Sequence, residues 1–381
     1  MIEDWSDRLR LARTEGIGPV LYRRLLRRYG TAAAALDALP ELARAGGRRQ
    51  PPRVPSRRDA AREREKLEQI GATFLFLDGQ GYPALLALLD DAPPVLSVLG
   101  RPEVLDGRAV AIVGGRNATA NARRHAEALA TDLAGAGLVV VSGMARGVDA
   151  AAHAGALASG TTIACIAGGV DVAYPPENAE LQRRAAKAGA VVAEAPPGTA
   201  PRAQHFPRRN RLIAGLSLGV VVVEAALRSG SLITARLALE NNRELFAAPG
   251  SPLDERCRGS NNLLRQGAHL VETAADVLAH LPDHPMREGL ARLPLFVRGE
   301  IGPPPAAAEP ASEHSPADLA LARSRVAQLL GPAPTPVDDL VRRCHLPVSA
   351  VLAVLLELEL AGRAEVLPGQ HVILTGEALA G

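Results

Sequence analysis

Ala109-Val110-Ala111-Ile112-Val113-Gly114-Gly115-Arg116-Asn117 and Leu138-Val139-Val140-Val141-Ser142-Gly143-Met144-Ala145-Arg146-Gly147 share one plan. Each is an unbroken apolar run that ends in a glycine turn bearing an arginine, and each is followed by a helical stretch, at 119–135 and 147–158. A strand with one wet face alternates apolar and polar residues. A strand apolar on both faces belongs to a parallel sheet covered by helices on both sides. The same alternation extends outward in both directions. Further runs are Thr73–Leu77, Val95–Leu99, Thr161–Ala167, Ala190–Glu194, Val220–Glu224 and Glu244–Ala248, with helical stretches at 177–188, 208–217, 231–242 and 260–267. Residues 72–281 therefore read as one doubly wound α/β domain.

The flanks have other periods. Residues 1–70 read as helices: Leu9 to Arg13, the turn Gly16-Ile17-Gly18-Pro19, then a helix from Val20 to Tyr29. That helix sets Ile17, Val20, Leu21, Leu25 and Tyr29 on one face and Arg23, Arg24, Arg27 and Arg28 largely on the other. The glycine turn fits either a helix-hairpin-helix, which aims backbone N–H groups at a phosphate, or a plain helix connection. Residues 282–316, with Pro303-Pro304-Pro305, read as a linker. Beyond it, Leu319–Leu330 reads as a helix. Thr335 is expected to cap a second with Pro336 at its first position, Pro347 opens a third, and Ala364–Leu374 folds back as a hairpin. Three helices and a hairpin suggest a winged helix at 317–381.

Composition excludes several classes. The 381 residues are 47% apolar and 22% charged, as expected of a globular chain of two or three domains. No apolar run is long enough to span a membrane, and the acidic N-terminus does not resemble a signal peptide. Cys165, Cys257 and Cys344 stand far apart, which argues against a disulfide framework or a cysteine zinc site and for a reducing cytoplasm. No G-x-x-x-x-G-K occurs, so a Walker A ATPase is excluded. Net charge is +2, but residues 1–70 hold 16 basic and 10 acidic side chains, and the cations are arginines apart from Lys66 and Lys187. Aromatics are 3% of the chain, too few for base stacking to be the main device of a nucleic-acid binder.

The candidate chemistry gathers at the strand ends. Gly114, Gly115, Arg116 and Asn117 form one turn; Ser142, Gly143, Arg146 and Gly147 form the second. Helix N-termini present N–H donors and a positive dipole end, and arginines add bidentate charge, which together make an anion site. The first turn lacks G-x-G-x-x-G and the second strand ends without an acid for a ribose, so nicotinamide chemistry is not expected. A third signal is Gln204-His205-Phe206-Pro207-Arg208-Arg209-Asn210-Arg211, where arginines oppose the helix dipole and so are read as facing a ligand rather than as a solvated run. A fourth, Ser229-Gly230-Ser231 with Thr234, suits either ligand contact or simple capping. Asp149 and His153, one turn apart, read as a hydrogen-bonded supporting pair, since no third metal ligand is positioned. No nucleophile motif occurs.

Taken in order, Val110–Arg116, Ser142–His153, Tyr174-Pro175-Pro176-Glu177-Asn178, Phe206–Gly215, Ser229–Ala235 and Pro249-Gly250 resemble the DNA-processing protein A family (DprA, also called Smf) over residues 109–280. Two departures are Gly115, where Gly-Ser-Arg is usual, and Ala122, where a glycine is common. The resemblance implies an extended Rossmann-like, mostly parallel sheet between a SAM-like helical N-terminus and a C-terminal winged helix. It also implies a cytoplasmic homodimer that binds single-stranded DNA in natural transformation, protects the incoming strand after DNA uptake and loads the RecA recombinase, with no enzymatic activity, cofactor or metal. Carried onto this sequence, the DNA-binding set is Gly114, Gly115, Arg116, Asn117, Ser142, Gly143, Arg146, Gly147, His153, Phe206, Arg208, Arg209, Asn210, Arg211, Ser229, Gly230, Ser231 and Thr234.

Two other functions are compatible with parts of the sequence. A phosphoribohydrolase of the lysine-decarboxylase-like group has a similar core but a Pro-Gly-Gly-x-Gly-Thr-x-x-Glu motif, whose glutamate spacing is absent from Ser229–Ala235. A transcription regulator rests on the winged helix alone, whose expected recognition helix, Pro347 to Ala361, has no lysine or arginine and carries Glu357 and Glu359. A self-complementary contact is expected around Leu263, Leu264, Leu270 and Val277, where the last strand needs a cover or a partner.

Overall fold

The structure, a computed structural model, describes residues 5–48, 50–282, 316–367 and 371–375. These divide into two compact units, one of residues 61–282 and one that joins 5–60 to 316–375. The linker expected at 282–316 lies, but for its two ends, outside the described residues.

The first unit is built on a nine-stranded sheet. Its strands are β1 (Ala72–Phe76), β2 (Val95–Gly100), β3 (Ala109–Val113), β4 (Val139–Ser142), β5 (Thr161–Cys165), β6 (Ala190–Ala193), β7 (Gly219–Val222), β8 (Glu244–Ala247) and β9 (His269–Leu270), in the order β1-β2-β6-β5-β4-β3-β7-β8-β9. Everything from β6 to β9 is parallel; β1 and β2 add an antiparallel margin through β2–β6 pairing. Every residue of β3, β4 and β7 is buried. One face of the sheet (Ala111, Val141, Ile163, Val222) packs beneath α9 (His205–Gly215), α10 (Ser231–Glu240) and α11 (Arg258–Arg265). The other (Ile112, Val140, Val221, Phe246) packs against α6 (Ala120–Gly135), α7 (Val148–Ser159) and α12 (Ala274–His280). On that second face, a satellite cluster seats α8 (Ala179–Ala188) and Leu67 of α4 (Arg57–Gln69). α5 (Ala84–Ala87) supplies Leu86 to the first face.

The chain leaves β3 toward β4, β5 and β6, then returns to β7 on β3's other side. That reversal opens a crevice at the carboxyl ends of the central strands, where ligands of doubly wound sheets bind.

In the second unit α1 (Trp5–Ala12), α2 (Pro19–Tyr29) and α3 (Ala32–Ala45) enclose Tyr22, Leu25 and Leu39. On α2 it is Tyr22 that is fully buried with Leu21 and Leu25, while Val20 and Tyr29 are only half-buried. The winged helix comprises α13 (Pro316–Leu329), β10 (Thr335–Pro336), α14 (Val337–Cys344), α15 (Val348–Leu360), β11 (Ala364–Leu367) and β12 (His371–Leu374). Thr335 does not cap α14; it pairs with Val372 as an edge strand, and Pro336 takes the cap position. α15 is apolar all round because it has two neighbours. Val351, Val354 and Leu358 face the winged-helix core, and Leu356 and Leu360 enter the cluster around Tyr22. Its acidic residues are paired, Glu357 with Arg323 (2.7 and 2.9 Å) and Glu359 with Arg24 (3.0 Å).

Candidate nucleic-acid interface

A cleft of about 170 Å³ lies over the carboxyl ends of β3, β4 and β5. Its centre is aromatic. Phe206, in the first turn of α9, has its ring centroid 5.6 Å from that of Tyr174, in the loop after β5. The Arg116 guanidinium lies 4.8 Å from the Phe206 centroid, within cation–π range. Arg146 reaches the rim from the turn before α7 and has no ion pair among the described residues. Tyr174 is 45% exposed, so the pair presents ring surface to solvent.

The floor is polar and buried. Arg209 projects from α9 under Phe206 and donates through Nη1 to the carbonyls of Gly143 and Cys165 (2.7 Å for Cys165). Asp149 supplies the counter-charge: burial raises its pKa above 3.8, and Arg209 opposes that rise. Burial likewise lowers the pKa of Arg209, opposed by Asp149. A side chain at position 143 would collide with both, so only glycine fits there. Asp149 also accepts the Ala145 N–H (3.3 Å).

The turn above is held from both sides. Met144 has φ +57°, a left-handed conformation that costs a non-glycine residue about 1 kcal/mol. Its N–H donates to His153 Nε2 (3.3 Å) and its carbonyl accepts from Asn178 Nδ2 (2.8 Å). With Nε2 accepting, His153 carries its proton on Nδ1 and donates to Thr162 Oγ1 (2.7 Å), which donates to the Val140 carbonyl (2.7 Å). Burial, aided by Arg209, pulls the His153 pKa down to about 3, so the ring is neutral. Ser142 Oγ donates to the Ile112 carbonyl (2.7 Å). The peptide groups joining residues 143–145 are thus set before any ligand arrives.

Several sequence expectations change here. His153, Ser142 and Thr234 are buried and do not line the cleft, and Asp149 and His153 take separate partners instead of pairing. The start of α6 is not a vacant anion site. Thr119 Oγ1 accepts the Ala122 N–H (3.0 Å), while the buried Glu224 carboxylate accepts the Thr119 N–H (3.1 Å) and hydroxyl (2.8 Å). Its backbone carbonyl takes the Gly115 N–H (2.6 Å). An acid at the switch point repels phosphate there, so the charge that matters is carried by side chains on the rim. Ser229 and Ser231 bond to each other (2.7 Å), and Asn210 links Arg209 to the Gly230 carbonyl (3.3 Å each way), which ties the start of α10 into the support.

The arginine run divides into three roles. Arg209 is the buried floor. Arg208 grips Glu194 through Nε and Nη2 (3.0 and 2.6 Å), and Arg211, 5% exposed, takes the same carboxylate (2.5 Å) and Asp91. Glu194 therefore neutralises much of what the sequence read as a ligand-facing cluster. Of the expected set, Arg116, Gly143, Arg146, Phe206 and Arg209 line the cleft together. Gly114, Gly115, Asn117 and Gly147 do not line it: Gly114 lies against Val148, and Gly147, at φ +85°, against the carbonyls of Gly115 and Arg116. Tyr174 was missed as a site residue; its signal was an aromatic beside proline in a loop of a chain poor in aromatics. Among the described residues no three metal-ligating side chains gather, and no helix is long and apolar enough to cross a membrane.

The expected contact surface is also sorted by burial. Leu263 and Val277 belong to the chain's own cores, Leu264 packs against one of them, and only Leu270, on the edge strand β9, is exposed.

Residues 73–282 match the family described as DNA recombination-mediator protein A, residues 3–65 a DprA-like N-terminal HHH domain, and residues 304–370 the DprA winged helix domain. The chain is 39% identical to Protein Smf of Escherichia coli K12 over 310 residues, covering 81% of this chain and 79% of that protein. It is 45% identical to the DNA processing protein DprA of Streptococcus pneumoniae R6 over 199 residues, 52% of this chain and 70% of that protein. The crystal structure of the S. pneumoniae protein superposes with a TM-score of 0.64 at 31% identity, over 74% of this chain and all of that one. A structure of the Helicobacter pylori protein, described for its single-stranded DNA binding mode, has a TM-score of 0.50 at 32% identity, over 55% of this chain and 94% of that one.

Proposed function

We propose that this chain, which belongs to the DNA recombination-mediator protein A family, binds single-stranded DNA in the cleft over β3, β4 and β5. Although aromatics are only 3% of the chain, the Phe206–Tyr174 pair, with the Arg116 guanidinium against Phe206, lines one cleft with Arg146 and the preset turn, and this pair is what supports a stacking contact. An exposed aromatic pair suits an unstacked base, at about 1–3 kcal/mol per base, and rim arginines suit the phosphates on either side. Every base has a π-face to stack on the rings, so binding tolerates sequence. A duplex keeps its bases stacked and gains nothing from the rings.

In the same reading the protein shields the incoming strand in the cytoplasm during natural transformation and loads the RecA recombinase onto it. It acts as a homodimer through the β9 edge, where Leu270 is exposed. It does no covalent chemistry. Supporting that, the carboxylate at the switch point, Glu224, is committed to Thr119, and the buried acid Asp149 to Arg209 and a backbone N–H. Competition gel shifts with single- and double-stranded DNA across a salt series test this. The expected result is retention of single strands against excess duplex, with a negative log–log salt slope. Equal competition by duplex defeats the reading.

A further inference from the structure

We propose that a second groove, between the N-terminal halves of α6 and α7, carries the sugar–phosphate backbone of the same strand onward from the first cleft; this rests on the reading of that cleft as a single-strand site. The groove holds about 570 Å³ and is open to solvent. Its walls bring Arg123 and Arg124 from α6 and Arg146 from the turn before α7, against a single acid, Glu127. None of the three arginines has an ion pair among the described residues; Arg124 Nη2 donates only to the neutral Asn121 side chain (2.6 Å). Arg146 lines both clefts, so the two are continuous through one cation.

The packing explains why a groove exists there. Gly155 of α7 lies directly against the backbone of Glu127 in α6, and Thr131 Oγ1 donates to the Gly155 carbonyl (3.1 Å). The helices are thereby pressed together at that level, while the turns before it carry the groove. Its uncharged lining is mostly small, with Ala120, Ala150, Ala151 and Ala154 beside Asn178 and Leu181, and it contains no aromatic ring. A floor without rings offers a base nothing to stack on. Three arginines over a shallow alanine surface, by contrast, fit successive phosphates, as in grooves that follow a strand's backbone. The two clefts divide the labour: the first takes a base, the second the backbone leaving it.

The test compares two oligothymidylates, of about six and about sixteen nucleotides, by fluorescence anisotropy on the full chain across a salt series. Replacing Arg123→Ala and Arg124→Ala together is expected to weaken the longer oligomer about tenfold at low salt and flatten its log–log salt slope by about 1.4, two phosphates' worth, while the shorter changes less than about twofold. Ala154→Glu, which removes no arginine but places an acid on the groove floor, is expected to show the same length-selective loss. An unchanged longer oligomer, or equal losses for both lengths, overturns the groove. If the unsubstituted chain binds neither oligomer, the reading of the first cleft fails instead, a result separate from any effect of the variants.

Discussion

Arg209→Met removes the cation on which the site's floor is built. Arg209 satisfies two carbonyls, at the ends of β4 and β5, and is the counter-charge of the buried Asp149. Breaking one member of a buried pair leaves an uncompensated charge, and the cost is about 3–5 kcal/mol. In a unit of this size that lowers Tm by roughly 10 °C. The sign of the pH dependence follows from the same contacts. Asp149 already has a raised pKa because burial outweighs Arg209, and without the arginine it rises further. His153, whose pKa Arg209 helps to depress, is relieved and binds a proton more readily. Both changes add protons to the folded state, so the variant's deficit shrinks as pH falls from neutral toward 5 and is largest above it. Adding Asp149→Leu is expected to recover part of the loss, since the stranded charge goes but the two carbonyls still lack a donor. Urea denaturation of the two single variants and the double variant at several pH values reads all of this. A loss under about 1 kcal/mol for Arg209→Met, or a deficit independent of pH, refutes the buried-pair account.

Phe206→Ala is expected to weaken single-strand affinity about tenfold or more with the salt slope intact, because stacking and not charge is lost; anisotropy titrations at several salt concentrations check both. His153→Gln is expected to reduce the acid sensitivity of folding. The wild-type ring resists protonation until about pH 3 although the unfolded ring takes a proton near 6.5, so wild-type stability falls as pH drops through that window and the variant's falls less. Parallel pH profiles of Tm would contradict it. Leu270→Arg is expected to shift the full chain from dimer to monomer in sedimentation at micromolar concentration, and an unchanged mass removes the β9 edge as the contact.

The doubly wound sheet was legible because its strands carry apolar residues on both faces, as in Ala109–Val113 and Val139–Val141, and local composition alone encodes that. The direction of β1 and β2 was not legible, since an apolar run reads the same whether its neighbour is parallel or antiparallel. Thr335 looked like a helix cap because proline followed it; the strand partner that claims it, Val372, lies far along the chain. At the site, the glycine turns, Arg116, Arg146 and Phe206 were visible from their positions after strands. The differing fates of Arg208, Arg209 and Arg211 were not, because they depend on Glu194, Asp149 and two carbonyls that only the fold brings near. Glu224 stood out ahead of Ser229-Gly230-Ser231, but its role did not, because its partner Thr119 begins a different helix.

In the proposed binding mode a DNA base rests on Phe206 and Tyr174. Photocrosslinking of a single strand substituted with 5-iododeoxyuridine, followed by mass spectrometry of the adduct, tests it most directly, since this photochemistry favours stacked aromatic partners. Adducts are expected on peptides containing Phe206 or Tyr174, diminished by unlabelled single strand. Specific adducts that avoid both residues and fall on other parts of the chain would contradict it.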